Sequence, residues 1–308
     1  MQFAVIDCGT NVFNLLIAEI NEGELKIAAV HKISVQLFKG SQTTTHISEA
    51  RMIRGLDAIQ SFLHTVKSHQ IQHIKCVATS AVRDAENGQE FVQLVREKTS
   101  LQIEVISGEE EAKLIYYGVQ LSGMLDQRKT LLIDIGGGSV EFSVCEKDQL
   151  HKSISIPVGV SRLKDKMLHA DILGKIELST LRNYFHESMR EIKNYMENQK
   201  IERCIGTSGS FDTLFNIFRS SLKHDEAASI MSYDVFEQIH QWIIRMPLEE
   251  RLKDPRILTE RAEYLPYATT LISYILELTG PMSFEHCSFN LKEGLATRYA
   301  LELGWRPQ

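Results

Sequence analysis

One local pattern occurs twice in this chain of 308 residues. In each copy, a short apolar strand ends in an aspartate and is followed by a glycine-containing turn and a second strand. The two aspartates, Asp7 and Asp134, lie 127 residues apart. The segments 75–80 and 203–208 also resemble each other, at an offset of 128 residues. Two independent matches at nearly one offset predict two similar α/β lobes that face a shared cleft.

Hydrophobic patterning predicts the same order of elements in both halves, beginning with three strands. These strands are predicted at 3–6, 12–20 and 25–33, and again at 130–135, 140–145 and 150–156. The longer helices are predicted at 48–70, 109–121, 178–197 and 264–279.

The domain boundary is predicted in the polar stretch 122–129. It separates a first lobe, 1–124, from a second lobe, 125–308. A last helix is predicted at 291–303, with the alternative that it packs back on the first lobe. The polar segment 40–45 is predicted to be a loop.

Composition excludes several classes of protein. The chain is 43% hydrophobic and 24% charged, with 18 glycines and 6 prolines, so a disordered or collagen-like chain is excluded. No apolar run approaches the roughly 20 residues that span a bilayer, and the chain enters a predicted strand directly at its N-terminus. We therefore expect neither a membrane segment nor a signal peptide.

Charge and cysteine content indicate partners and compartment. The formal net charge of −6 argues against non-specific binding of duplex nucleic acid, but allows a polyanionic substrate in a locally basic cleft. Arg162, Lys164 and Lys166 form one such basic group. The five cysteines are scattered, without a CxxC pair, so we expect reduced, buried thiols in the cytoplasm. The oligomeric state stays open, a homodimer included.

A glycine-rich turn follows Asp134 and consists of Gly136, Gly137, Gly138 and Ser139. It matches neither the P-loop nor the dinucleotide-binding pattern, and no helix is predicted directly after it. Three glycines permit unusual backbone conformations and expose consecutive N–H groups, which can bind an anion. A plain hairpin turn is the alternative.

A smaller version of this turn follows Asp7 and consists of Gly9, Thr10 and Asn11. A plain turn explains either loop alone, but the paired arrangement favours phosphate binding by both.

Acidic side chains lie beside both turns. A carboxylate at the end of an apolar strand is costly unless it meets a cation or hydrogen-bond donors. Beside phosphate loops, Mg²⁺ is the natural partner of Asp7 and Asp134; bonding to their own turn amides is the alternative. Glu141 alternates with apolar neighbours, so its side chain faces either the cleft or solvent.

A second group of charged residues lies in the first half of the chain. Ser107 and Glu110 have the spacing of a capping box at a helix start. The helix dipole explains the acidic first turn and is the alternative to a catalytic role for Glu111. Arg83 follows a predicted strand and either clamps a phosphate with two hydrogen bonds or is simply exposed.

Six segments of the chain, in this order and spacing, resemble the Ppx/GppA family of exopolyphosphatases and guanosine pentaphosphate phosphohydrolases. The segments are 4–11, 78–83, 106–112, 133–141, 157–163 and 206–210. The resemblance runs from end to end of the chain and is to a short two-domain form. It implies two duplicated ribonuclease-H-like lobes of the actin, sugar-kinase and heat-shock ATPase superfamily, with a cleft between them.

The resemblance also implies roles for single residues. Glu111 would be the catalytic base for water, and Arg83 would grip phosphate. Asp134 and Glu141 would organise Mg²⁺, and the loop 136–139 would cradle the terminal phosphates. The implied contribution of the second lobe also includes Ser208 and Gly209.

The implied substrate is inorganic polyphosphate, with the 5′-phosphate of guanosine pentaphosphate as the second choice. The chain departs from the usual family pattern at Val12, Lys113 and Glu263, none of which is a proposed base or metal ligand. Two other functions stay open, a small-molecule kinase of the same superfamily and a non-catalytic sensor of polyphosphate or guanosine tetraphosphate.

Overall fold

The computed structural model describes residues 1–37, 46–167, 170–221, 229–280 and 283–306. Its contacts divide the chain into two compact units. The first unit is Met1–Leu121 together with the C-terminal segment that begins at Phe289, and the second is Ser122–Ser288. The predicted loop at 40–45 lies outside the described residues.

The first unit is built on a five-stranded mixed sheet of order β3-β2-β1-β4-β5. Its strands are β1 (Gln2–Cys8), β2 (Val12–Asn21), β3 (Glu24–Ser34), β4 (His73–Ala78) and β5 (Ile103–Val105). Strands β1, β2 and β3 form an antiparallel meander, whereas β4 and β5 run parallel to β1. The helices are α1 (Glu49–Ser68), α2 (Ser80–Arg83), α3 (Gly88–Thr99) and α4 (Gly108–Leu121).

The second unit repeats this plan in a six-stranded sheet of order β10-β11-β9-β6-β7-β8. Its strands are β6 (Thr130–Ile135), β7 (Val140–Glu146), β8 (Gln149–Ile156), β9 (Arg203–Thr207), β10 (Ile230–Met231) and β11 (Ser283–His286). Its helices are α5 (Val160–Lys166), α6 (Lys175–Ser188), α7 (Arg190–Met196), α8 (Ser208–Ser221), α9 (Tyr233–Arg245), α10 (Leu248–Lys253) and α11 (Leu265–Thr279).

The two sheets share an antiparallel meander with parallel strands on its far side. This repeated topology confirms the predicted pair of ribonuclease-H-like α/β units. Side-chain alternation along β1 explains why both faces of the first sheet are covered: Ala4 and Ile6 belong to one buried cluster, and Phe3 and Val5 belong to another.

The last helix, α12 (Leu291–Glu302), belongs to the first unit. Packing of this helix on the first lobe is the alternative that the sequence also allows, and the first unit ends at Leu121 rather than at the predicted 124. Glycines allow α12 to approach α4 closely, because a Cβ on Gly294 would lie 1.6 Å from the Leu114 carbonyl oxygen. Beyond the C-terminal end of α12, Trp305 Nε1 donates to the Gly23 carbonyl at 2.8 Å.

Some elements differ from the prediction. The helix predicted at 178–197 is two helices, α6 and α7, which are separated at Met189. The short elements α2, β10 and α10 were not predicted. Across the described ranges, no helix is long and apolar enough to cross a membrane.

Candidate active site

Parallel pairing places several loops of the first unit at one sheet edge. Strands β1, β4 and β5 run in the same direction, so their carboxyl ends share this edge. The pairing continues just past the strands, since Thr79 N–H donates to the Cys8 carbonyl at 3.2 Å and Ile106 N–H donates to the Ala78 carbonyl at 3.1 Å. Ligands of open α/β sheets bind at such edges.

The loop after β1 contacts the turn after β4. Thr10 Oγ1 lies 3.0 Å from Ser80 Oγ in a buried hydrogen bond. The Asn11 carbonyl accepts hydrogen bonds from Val35 and Gln36 N–H at 2.8 and 3.0 Å. The loop is tight at Gly9, where a Cβ would lie 2.8 Å from the Val12 carbonyl oxygen. Ser80 was not predicted as a site residue, because only the parallel pairing of β1 and β4 brings it to the loop.

Arg83 and Glu111 form an ion pair in the first unit. Arg83 Nη1 donates to Glu111 Oε2 at 2.9 Å and to the Ile106 carbonyl at 3.3 Å, and its Nε lies 3.2 Å from Asp84 Oδ1. Glu111 is only 7% exposed, although it is in the first turn of α4. A helix-dipole effect needs no such burial, so the dipole alone does not account for this carboxylate.

Carboxylates occupy the same place in the first hairpin of each unit. Asp134 on β6 is the cross-strand partner of Glu141 on β7. Asp7 on β1 is likewise the partner of Asn14 on β2, and Asn14 Nδ2 donates to Asp7 Oδ2 at 3.0 Å. The second unit therefore presents two carboxylates where the first presents a carboxylate and an amide. Asn14 was missed, although its seven-residue spacing from Asp7 repeats that between Asp134 and Glu141.

Hydroxyl groups hold both carboxylates of the second unit. Thr207 Oγ1 and Ser208 Oγ donate to Asp134 Oδ2 at 2.8 and 2.6 Å. Ser155 Oγ donates to Glu141 Oε1 at 2.7 Å. Glu141 is 3% exposed, so it does not face solvent, which was one of its two predicted directions. Ser208 has a φ of 72°, a conformation that L-residues rarely adopt.

The donor chemistry of this pair fits a hard divalent cation. Mg²⁺ is bound in proteins by one or two carboxylates and completes its coordination with water and substrate phosphate. Within the described ranges, no group of three or more His, Cys, Asp or Glu side chains is arranged to hold a metal ion. The cross-strand pair of Asp134 and Glu141 offers two carboxylates of this kind, whereas the cross-strand partner of Asp7 is the amide of Asn14.

The glycine turn of the second unit is held from one side by the start of α5. The carbonyl oxygens of Gly136 and Gly137 accept hydrogen bonds from Val160 and Ser161 N–H at 3.0 and 2.9 Å. The Gly138 carbonyl accepts from Gly159 N–H at 3.3 Å.

Each planar trans peptide directs its N–H opposite to its carbonyl. The N–H groups of Gly137, Gly138 and Ser139 are therefore all directed away from α5. Consecutive N–H groups on one side of a turn form an anion-binding concavity.

Ser208 and Gly209 begin α8 beside an arginine that the sequence analysis did not single out. A Cβ on Gly209 would lie 2.4 Å from Arg261 Nη2, so the guanidinium packs directly on this glycine. Burial lowers the pKa of Arg261, and the charges of Asp212, Glu260 and Asp134 oppose that shift. The only sequence signal was its place two residues before Glu263, a position where the chain departs from the family pattern.

All five cysteines are free and buried, as predicted. Burial and the neighbouring Cys76 raise the pKa of the Cys8 thiol, and burial raises that of Cys145 to about 12. Such thiols are unreactive at neutral pH.

Two duplicated ribonuclease-H-like units, with glycine turns and carboxylates at their strand ends, define an α/β protein equipped for phosphate chemistry. Comparison with known proteins gives the particular family. Residues 16–303 match the model of the Ppx/GppA phosphatase family, and the chain belongs to that family. This confirms the expected family membership and, at the level of the family, a phosphoanhydride hydrolase.

Individual relatives agree with this assignment. The chain is 30% identical to an exopolyphosphatase from Cytophaga hutchinsonii, whose crystal structure it matches with a TM-score of 0.92 over 99% of each chain. It is 24% identical to exopolyphosphatase 1 of Mycobacterium bovis over 97% of this chain and 88% of that protein. The crystal structure of an Aquifex aeolicus family member shares the fold, with a TM-score of 0.82 at 22% identity over 99% of each chain.

Proposed function

We propose that the chain is an exopolyphosphatase that hydrolyses the terminal phosphoanhydride bond of inorganic polyphosphate with the help of Mg²⁺. The observation that carries the proposal is that the carbonyls of Gly136, Gly137 and Gly138 accept hydrogen bonds from the start of α5, which by peptide planarity directs the N–H groups of 137–139 to the other side. These donors suit the oxygens of a terminal phosphate. Two relatives that carry the name exopolyphosphatase support the same substrate.

The proposed reaction uses Glu111 as the general base. A water oxygen bonds to the terminal phosphorus while its proton passes to the Glu111 carboxylate. The bond from phosphorus to the bridging oxygen breaks, and that oxygen leaves on the shortened chain. Arg83 fixes the orientation of Glu111 through their 2.9 Å contact and supplies positive charge for phosphate oxygens. A positioned base of this kind typically contributes about 10²–10⁴ in rate.

The second unit supplies the donors for phosphate in this proposal. The N–H groups of 137–139 take up charge that develops on the phosphate oxygens. Thr207 and Ser208 hold the Asp134 carboxylate, which with Glu141 would bind Mg²⁺. When bound, Mg²⁺ neutralises phosphate charge and acts as a Lewis acid. Ser208 and Gly209 would complete the phosphate contacts of this unit, as Gly9, Thr10 and Asn11 would in the first.

Guanosine pentaphosphate is the alternative substrate, because the same donors suit the terminal phosphate of its 5′ chain. The test is phosphate release from polyphosphate, guanosine pentaphosphate and ATP, each with and without Mg²⁺. We expect release from polyphosphate to be fastest and to need Mg²⁺. If phosphate release from guanosine pentaphosphate is faster than from polyphosphate, guanosine pentaphosphate is the preferred substrate. ADP formation that requires an added acceptor would identify a kinase, and binding of polyphosphate without phosphate release would identify a sensor.

Location and assembly follow from other features. We propose a cytoplasmic enzyme, because its five cysteines are free thiols and such thiols persist in a reducing compartment. A homodimer stays a prediction, which the solution mass by light scattering tests directly.

A further inference from the structure

The basic residues of α5 already have partners within the second unit. Arg162 Nε donates to the Gly138 carbonyl at 2.7 Å. Lys164 Nζ lies 2.6 Å from Glu263 Oε2, and Lys166 Nζ lies 4.3 Å above the Tyr184 ring. From the sequence alone, these three residues form a basic group available to a polyanion. The contact of Arg162 with the glycine turn indicates a different task for that side chain.

The carbonyl of the peptide between Gly138 and Ser139 accepts two hydrogen bonds from residues outside the turn. Gly138 has no Cβ, so rotation of this peptide meets little steric resistance. The backbone hydrogen bond from Gly159 is long, at 3.3 Å. The bond from Arg162 is shorter, at 2.7 Å, and a charged donor strengthens it. Arg162 therefore provides the stronger of these two contacts to the Gly138 carbonyl.

Orientation of this peptide decides what the turn offers to phosphate. With the carbonyl of Gly138 held toward Arg162, the Ser139 N–H is directed away from α5, like the N–H groups of Gly137 and Gly138. If the peptide turned over, the carbonyl oxygen would replace this N–H and would repel an anion. Lys164, two residues further along the same helix, forms an ion pair with Glu263.

We propose that Arg162 is a positioning residue, which holds the Gly138–Ser139 peptide in the orientation that binds phosphate, rather than a cation that contacts the substrate. The inference rests on the proposed function, since it assigns the turn 136–139 to phosphate. A basic residue near a polyanion site can contact the polyanion itself or can hold the protein groups that contact it, and Arg162 is assigned the second role.

Three substitutions distinguish these roles. In Arg162→Gln the amide nitrogen occupies the same position along the side chain as Nε of arginine, so the donor is kept and the charge is lost. In Arg162→Lys the charge is kept, but a methylene replaces Nε. In Arg162→Met both the donor and the charge are lost.

We expect kcat/KM for polyphosphate to fall no more than about threefold in Arg162→Gln. In Arg162→Lys and Arg162→Met it should fall about tenfold or more, which corresponds to the loss of one charge-assisted hydrogen bond. The slope of log kcat/KM against log salt concentration should be the same in Arg162→Gln as in the wild type. A cation that contacts the polyanion contributes close to one unit to that slope.

The opposite pattern overturns the inference: retained activity in Arg162→Lys, loss in Arg162→Gln, and a salt slope lower by about one. Equal activity in all three variants and the wild type overturns it too. Thermal melting identifies any variant that fails to fold. If Arg162→Met does not fold, the comparison of Arg162→Gln with Arg162→Lys still distinguishes the two roles. Failure of the proposed function is distinguishable, because the wild type itself would then release no phosphate from polyphosphate.

Discussion

Arg83 Nη1 donates to Glu111 Oε2 at 2.9 Å and also to the Ile106 carbonyl at 3.3 Å. One guanidinium thus ties the carboxylate of α4 to the end of β5. In the sequence, Arg83 and Glu111 lie 28 positions apart, so their contact is not predicted by any local pattern. Their direct contact means that a change in either one alters the other.

The first prediction concerns the base. Glu111→Gln keeps the size of the side chain and can still accept a hydrogen bond from Arg83, but it cannot take a proton from water. We expect kcat for polyphosphate to fall about 10²–10⁴-fold, with little change in the melting temperature. Steady-state phosphate release and thermal melting measure the two quantities.

Glu109→Gln is the matched control for this change, because Glu109 lies in the same helical turn with a side chain that is 65% exposed. It should keep near wild-type turnover. If Glu111→Gln keeps more than about half of the wild-type rate, Glu111 is not the base.

The second prediction concerns Mg²⁺. Asp134→Asn removes a negative charge from the carboxylate that Thr207 and Ser208 hold. The concentration of Mg²⁺ for half-maximal activity should rise, and high Mg²⁺ should restore part of the rate. Asp57→Asn, on the exposed face of α1, should leave this concentration unchanged. Wild-type activity that is insensitive to a chelator would remove the metal from the mechanism.

The third prediction concerns the close approach of α5 to the glycine turn. A Cβ on Gly159 would lie 2.4 Å from the carbonyl carbon and oxygen of Gly137, so Gly159→Ala must displace the backbone of the turn. We expect KM for polyphosphate to rise at least tenfold. Gly174→Ala is the control, since its Cβ would meet only the end of the Glu177 side chain. Equal KM values for the two variants would show that the turn does not bind substrate.

The fourth prediction concerns stability and pH. Burial lowers the pKa of His240, whose Nδ1 lies 3.0 Å from Thr269 Oγ1. The unfolded chain binds this proton near pH 6.5 and the folded chain only at lower pH, so stability is lost as the pH falls through that interval. One proton contributes at most about 1.4 kcal/mol per pH unit.

Urea unfolding at pH 7.5, 6.5 and 5.5 measures this effect. His240→Asn should give a flatter dependence of the free energy of unfolding on pH than the wild type. His69→Asn, an exposed position at the end of α1, should leave the wild-type slope. An unchanged slope in His240→Asn would contradict the assignment.

The fifth prediction concerns how long polyphosphate stays bound. The net charge is −6, and the basic residues of α5 are engaged within the protein. Few cations then contribute counterion release, so we expect frequent release of long chains. Partial digestion of a polyphosphate of uniform length should give a gradually shortening population. Full-length chains that persist beside free phosphate, with nothing between them, would indicate processive action.

Much of the fold could be predicted because its signals are local. The alternation of apolar residues predicts β1, β2 and β3, and the repeat of Asp7 at Asp134 predicts the second sheet. Shorter elements could not be predicted in this way. The four-residue helix α2 has no hydrophobic period of its own, and the separation of α6 from α7 at Met189 interrupts a continuous helical pattern.

The same distinction between local and long-range features applies to the candidate site. Glycine turns and strand-end carboxylates are visible in the sequence, because their spacing is fixed within one hairpin. Contacts between residues far apart in the chain are not. Ser80 reaches Thr10 only through parallel strand pairing, and the contact of Arg162 with Gly138 joins α5 to a turn 24 positions earlier in the chain.

The return of α12 to the first unit has a consequence for synthesis. The chain leaves the first unit after Leu121 and comes back only at Phe289, so the second unit is a continuous insertion. On the ribosome this insertion can fold before Leu295 has been synthesised. Until then, the apolar face that includes Val5 and Leu114 lacks the Leu295 side chain that packs against it. A nascent chain stalled before α12 would therefore contain a folded second unit and an incomplete first unit. The first unit would expose a hydrophobic surface of the kind that chaperones recognise.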